Sequence, residues 1–292
     1  AASVVQGQPC GGFLLRCGGR TMIVDPGDNS VSNLVRRGFD PFGITDVLVS
    51  HAHNDHAGDL TLAVSAAINL GLSGPTDSRI VVSPSLVDYT RGHATRLGFT
   101  LPAFGWKAQV HSLFFEERTG TRFDGVPVQS VPDADLPGGI RVRATEARHD
   151  DTAVTGFVFE TPAGRIGYTS DTEYFDGLKD WFRDVDLLWM NMNTLSLDAM
   201  LPRKAAPCRT ALPIHNHLGY VGVCRLIDEV RPRMAIVSHF GAQLLHRRAA
   251  VQSLLRKRFA GTGTEVYCAE NWDRWHFEGA LSDGPTRRSV LQ

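Results

Sequence analysis

Three histidines and one aspartate lie within six positions, His51-Ala52-His53-Asn54-Asp55-His56, directly after the apolar run Asp46 to Val49. With 11 His in 292 residues, chance produces H-x-H-x-D-H in about one such chain in a thousand, so the pattern calls for a chemical explanation. Alternation along an extended segment puts His51 and His53 on one side, where both can reach a single ion. Asp55 and His56 turn away toward a second ion as a helix begins. A solvated polar loop is the plain alternative, and its rarity at this spacing counts against it.

The surrounding chain reads as α/β. Paired glycines in Cys17-Gly18-Gly19-Arg20 between two β-prone runs predict a hairpin, and a short helical pattern through Val31, Leu34 and Val35 stops at Gly38. Leu60 to Leu72 reads as a helix, Ile80 to Val82 as a strand, and a further helix starts at Ser83-Pro84. From Phe99 to Gly139 no period is sustained, which predicts an irregular insertion or lid around residues 99–139. Strands are then expected at Ile140 to Ala147, Ala153 to Glu160, Arg165 to Thr169 and Val185 to Met190. A helix near Leu218 to Val230, a strand Met234 to Ser238, a helix Ala242 to Phe259 and a strand Thr264 to Ala269 follow.

On the H-x-H-x-D-H motif the sequence resembles the metallo-β-lactamase superfamily, and the resemblance extends along the chain. His149 in EARHD, Asp171 in YTSDT and His239 in AIVSHFG each follow an expected strand, in the order the family's remaining ligands take. The resemblance implies a single domain over residues 1–292, folded as a four-layer αββα sandwich with two divalent metal ions at one edge. It implies that His51, His53 and His149 hold one ion, that Asp55, His56 and His239 hold the other, and that Asp171 bridges them. Asp25 in IVDPG also fits the family's pattern, in a supporting role. Such a donor set suits Zn2+, with Mn2+ or Fe as alternatives. The family's redox branch carries Glu at the position of His53, so a di-iron reductase is disfavoured.

Two divalent ions generate hydroxide near neutral pH and polarise a carbonyl or phosphoryl oxygen, so hydrolysis is the expected output. Asp55 is expected to steer the nucleophile as well as to ligate. His217 in PIHNHLGY is the candidate proton donor, in a place that resembles the phosphodiesterase and tRNA 3′-processing branch. The competing reading has Asn216 cap the helix and His217 pack at its first turn. The expected substrate is therefore a nucleotide-sized phosphodiester. The runner-up is a lactone, thioester or β-lactam hydrolase in which Tyr174 or Tyr220 donates the proton, and a catalytically silent metal-binding protein is a third reading.

Weaker candidates are His215, a phosphate-binding group Arg203, Lys204 and Arg209, and Asn191, Asn193 and Thr194 as residues reaching a substrate. Trp106, Phe104 and Phe114 could line a lid. His93, His111, His246 and His276 have no ligand partner at suitable spacing. A formal charge of −1 removes the electrostatic footprint of a protein that grips long nucleic acid. Five scattered cysteines without a C-x-x-C pair suggest neither a disulfide framework nor a zinc ribbon, and no apolar run has the length of a membrane span. A cytoplasmic location without a signal peptide is expected, although the chain begins with Ala and a trimmed segment stays open, as does a homo-oligomer.

Overall fold

The computed structural model describes residues 10, 12–68, 79–82, 109–113, 122–123, 126–127, 129–131, 133–149, 154–195, 217–241, 244–276 and 286–288. The chain divides into two compact units, residues 1–145 with 152–162, and residues 146–151 with 163–292.

The first unit opens with the expected hairpin, β1 (Phe13–Cys17) and β2 (Arg20–Val24). Gly18 and Gly19 take φ of 54° and 75°, the left-handed pair that a two-residue turn between twisted strands demands. Helix α1 (Ser30–Arg36) and a 3-10 turn at Pro41–Gly43 then lead to β3 (Asp46–Val49), which pairs parallel to β2. Helices α2 (Asn54–Ala57) and α3 (Leu60–Ala67) precede β4 (Arg79–Val82). Every residue of β2 and β3 is buried, as parallel strands covered on both faces require. On one face Ile23, Val47 and Val49 pack with Val31 of α1 and with Leu60, Ala63 and Val64 of α3.

The 99–139 segment is more regular than expected. Beyond β4 it supplies β5 (Gln109–Leu113), the hairpin strands β6 (Arg122–Phe123) and β7 (Val126–Pro127), β8 (Gln129–Val131) and β9 (Asp133–Leu136). β5 and β8 continue the sheet in the order β1-β2-β3-β4-β5-β8. Strands of two to five residues are too short to build a readable period, and ladder pairing satisfies their backbone regardless of pattern. The rest of that segment, with Phe104, Trp106 and Phe114, lies outside the described residues, as do His93, the helix expected from Ser83 and residues 69–72 of the Leu60 to Leu72 helix. β10 (Ile140–Glu146) pairs antiparallel with β9, and β11 (Thr155–Thr161) runs beside β10.

The second unit is built on four parallel strands, β12 (Gly164–Tyr168), β13 (Leu187–Asn193), β14 (Met234–Phe240) and β15 (Glu265–Cys268), in that order. The connections carry α4 (Leu178–Trp181), α5 (Gly219–Val230) and α6 (Arg248–Arg258), the last preceded by a 3-10 turn at Leu245–Arg247. α5 buries Val223, Cys224, Leu226 and Ile227, one stripe of a 3.6-residue repeat, and stops where Arg231 turns left-handed before Pro232. A small hairpin, β16 (Arg274–His276) with β17 (Thr286–Arg288), closes the described chain. Among the described residues no helix is long and apolar enough to cross a membrane.

At the amino ends of β2 and β3 a buried ion pair holds the first unit's sheet. Arg20 donates to Asp46 through Nη2 at 2.7 Å and Nε at 2.9 Å, and the Thr45 hydroxyl adds a bond at 2.7 Å. Removing one partner leaves the other charge buried and uncompensated. Asp46→Ala should therefore lower the unfolding free energy by about 3–5 kcal/mol, read as a fall in the denaturant midpoint by circular dichroism. A midpoint unchanged from wild type would show that the pair contributes nothing.

Candidate metal centre

Both units place ionisable side chains just past the carboxyl ends of parallel strands, where the ladder ends and backbone groups diverge. In the first unit β2 ends at Val24 and Asp25 follows. β3 ends at Val49, with Ser50 and His51 next. The Asp25 carboxylate is shut off from water and satisfied by three donors. Oδ1 accepts from the Ser50 backbone N–H at 2.7 Å, and Oδ2 from the Ser50 hydroxyl at 2.7 Å and His56 Nδ1 at 2.8 Å.

These bonds dictate the tautomers. A carboxylate only accepts, so His56 must carry its proton on Nδ1, which leaves the Nε2 lone pair for a ligand. The Ser50 hydroxyl has spent its hydrogen on Asp25, so it accepts from His51 Nδ1 at 3.0 Å, and His51 likewise presents Nε2. That Nε2 lies 3.0 Å from Nδ1 of His53. Two imidazole nitrogens on one zinc ion stand about 3.3 Å apart, from metal–nitrogen bonds of about 2.0–2.1 Å in tetrahedral geometry. The spacing of the pair thus fits a shared ion. The His51 ring centroid lies 4.6 Å from that of His53 and 4.2 Å from that of His56. His53 is extended and α2 begins at Asn54, so the chain bends where the motif leads one to expect it, with Asp55 in the helix's first turn. Gly27 is required here, because a Cβ at that position would overlap the backbone carbonyl of Asp55.

The second unit gathers His149, Asp171, His217 and His239. Ligand atoms of His149, Asp171 and His217 all lie within 4.8 Å of one another. Oδ2 of Asp171 stands 3.4 Å from His239 Nε2 and 3.8 Å from His149 Nε2, and Oδ1 stands 3.7 Å from His217 Nδ1. The His217 ring stacks on His239 at 5.3 Å and lies 4.8 Å from that of His149. His239 takes φ of 56°, Ser170 54° and Asp25 51°, conformations unusual outside glycine.

Asn191 corrects an expectation. Rather than reaching toward a substrate it is buried, donating Nδ2 to Asp171 Oδ1 at 2.8 Å and approaching the Tyr168 hydroxyl at 3.2 Å. A strand that carries an Asn between two ligand-bearing neighbours packs that side chain inward, which residue type alone does not reveal. Asn193 adopts φ of 59° at the strand end and accepts from the Gly241 N–H through its carbonyl. His215, Asn216, Arg203, Lys204 and Arg209 lie outside the described residues, and the N-cap position of α5 falls on Leu218. The supporting Ser50, Trp189 and Ser238 escaped sequence reasoning. One signal was available, because Ser50, Ser170 and Ser238 each immediately precede a candidate ligand.

The two tyrosines considered as proton donors are committed elsewhere. The Tyr174 hydroxyl donates to Glu229 Oε2 at 2.6 Å and its ring lies under the Arg225 guanidinium at 4.1 Å. Burial, then the bond to Glu229, push its phenol up to about 12. Burial likewise raises Tyr220, whose hydroxyl interacts with Cys224.

The beta-lactamase superfamily domain matches residues 20–240, a span that contains every candidate ligand. The chain belongs to the metallo-β-lactamase superfamily. Uncharacterised protein MJ1374 of Methanocaldococcus jannaschii is 25% identical over 269 residues, covering 91% of this chain and 86% of that protein. Among solved structures, the metallo-β-lactamase fold protein YhfI of Bacillus subtilis matches with a TM-score of 0.63 at 17% identity, over 90% of this chain and 89% of that one. The short form of human tRNase Z matches with a TM-score of 0.59 at 17% identity, over 89% of each chain. The α/β class and αββα sandwich expected from the sequence are those of the superfamily, and the chain is a metal-binding hydrolase of that kind.

Two predictions follow from these contacts. Asp25→Ala frees the His51 and His56 tautomers and should lower zinc affinity about 10–100-fold, measured by competition with a chelating dye. Equal affinity would show that Asp25 does not orient the histidines. The Tyr174 phenol should titrate above the ordinary tyrosine range. Its bond to Glu229 is intact below the ordinary tyrosine range near 10 and is lost as pH rises through about 12. An ultraviolet phenolate titration should show this late transition and lose it in Tyr174→Phe. Titration of all tyrosines in the ordinary range would refute the assignment.

Proposed function

We propose that this hydrolase cleaves a nucleotide-sized phosphodiester at a dinuclear zinc centre. His51, His53 and His149 would hold one ion, Asp55, His56 and His239 the other, and Asp171 would bridge them. The donor set supports this reading: imidazoles held in tautomers with outward lone pairs, and a carboxylate facing two histidines, suit a borderline ion such as zinc. Bound there, two divalent ions supply a nucleophile of hydroxide strength near neutral pH and polarise a phosphoryl oxygen.

The observation that carries the phosphodiester reading is His217. It is a further imidazole beyond the seven ligands, and it stands against Asp171 and His239 in the second unit. Phosphodiester cleavage expels an alkoxide that needs a proton, and an imidazole beside a carboxylate is suited to deliver one. Asp55, in the first turn of α2, would orient the attacking water through its carboxylate. The fold match to a tRNase supports the same class of bond, and the net charge of −1 favours a small substrate over long nucleic acid. The Tyr174 hydroxyl, a proton donor in the carbonyl reading, is engaged by Glu229, which favours His217 as the donor.

The test is an assay of zinc-quantified protein on bis-(p-nitrophenyl) phosphate and cyclic nucleotides beside lactone, thioester and β-lactam substrates. Phosphodiesters alone should be cleaved. Asp171→Ala should lose both metal and turnover, and His217→Ala should keep its zinc yet turn over about 10²-fold more slowly. Cleavage of carbonyl substrates alone would replace this reading, and full turnover by His217→Ala would remove that residue from the reaction.

A further inference from the structure

Asp171 is held from behind by three side chains arranged in series. Trp189 and Asn191 are two residues apart on β13 and so face the same side of the sheet, and Asn191 is the register partner of Ser238 on β14. Trp189 Nε1 donates to Ser238 Oγ at 2.7 Å, Ser238 Oγ donates to Asn191 Oδ1 at 2.9 Å, and Asn191 Nδ2 donates to Asp171 Oδ1 at 2.8 Å. The Trp189 ring is braced edge-on by Trp275 at 5.6 Å.

The series has a direction, and Trp189 sets it. An indole N–H can only donate, so Ser238 must accept from it and point its own hydrogen at Asn191. The amide then presents its oxygen to Ser238 and its NH2 to Asp171. A flipped amide would set its carbonyl against the carboxylate and its NH2 against a hydroxyl hydrogen. The two carboxylate oxygens are thereby distinguished. Oδ1 is engaged by Asn191, whereas Oδ2 is the oxygen that faces His149 and His239.

We infer that Trp189, Ser238 and Asn191 form a polarised hydrogen-bond relay that positions Asp171 so that it ligates metal through Oδ2. The inference rests on the proposed role of Asp171 as a ligand. The three act through Asp171, so they are positioning residues, and their effect is on metal affinity before any turnover.

The experiment measures zinc affinity by chelator competition, alongside the thermal midpoint of the zinc-free protein, for Asn191→Leu, Ser238→Ala, Ser238→Thr, Trp189→Phe and the Trp189→Phe/Ser238→Ala double variant. Asn191→Leu should weaken zinc binding about 10–100-fold. Trp189→Phe keeps an aromatic ring beside Trp275 but removes the donor together with part of the indole, so affinity should fall severalfold with a modest drop in the zinc-free midpoint. Ser238→Thr keeps the hydroxyl and should stay near wild type. The double variant should bind no more weakly than Ser238→Ala alone, because a relay broken once is broken. Additive losses in the double variant, or zinc affinity of Trp189→Phe within twofold of wild type, would overturn the relay. Asp171→Ala separates the two claims. If it binds zinc normally, the ligand role fails and takes the relay with it; if it loses zinc while Trp189→Phe does not, only the relay fails.

Discussion

Burying a carboxylate is costly unless it is paired or hydrogen-bonded, and the candidate ligands of each unit are organised around one buried carboxylate. Asp25 is fully buried and takes bonds from the Ser50 backbone, the Ser50 hydroxyl and His56. Asp171 is nearly as buried and takes its bond from an amide whose orientation is set two residues further back. In the first unit the carboxylate lies behind the histidines and chooses their tautomers. In the second it faces them, and its own orientation is chosen from behind.

Both arrangements depend on parallel strands ending side by side. Backbone pairing stops at the carboxyl ends of β2 and β3 in one unit and of β12, β13 and β14 in the other, so side chains from neighbouring strands converge without a ladder to separate them. The chain bends sharply at those ends, and Asp25, Ser170 and His239 adopt left-handed backbone there. Aspartate and histidine tolerate that conformation better than β-branched residues do. The residues that the chemistry needs are thus also suited to the turn that presents them.

Much of the architecture was legible in the sequence. The glycine pair of the first hairpin, the apolar run of β3, and the strands and helices of the C-terminal third occur close to where periodicity and turn chemistry put them. The H-x-H-x-D-H run was legible because its ligands are adjacent in sequence. The short strands within residues 99–139 were not, since two to five residues paired through their backbone leave no period to read. The bond of Asn191 to Asp171 was not legible, because an Asn near a strand end looks the same whether its partner is a ligand or a buried carboxylate.

The sequence by itself determined the family, the α/β class, the identity of the candidate ligands and the hydrolytic chemistry they suit, because each is written in residue type and local spacing. Tertiary structure decided which nitrogen of His51 and His56 stays available, which oxygen of Asp171 faces the histidines, and that Tyr174 is occupied with Glu229. Apart from the Ser50–His51 bond, these are contacts between residues at least 20 positions apart in the chain, such as Asp171 with Asn191 and Tyr174 with Glu229. A donor's direction depends on which acceptor the fold brings within about 3 Å of it, and that is not encoded in any local stretch of sequence.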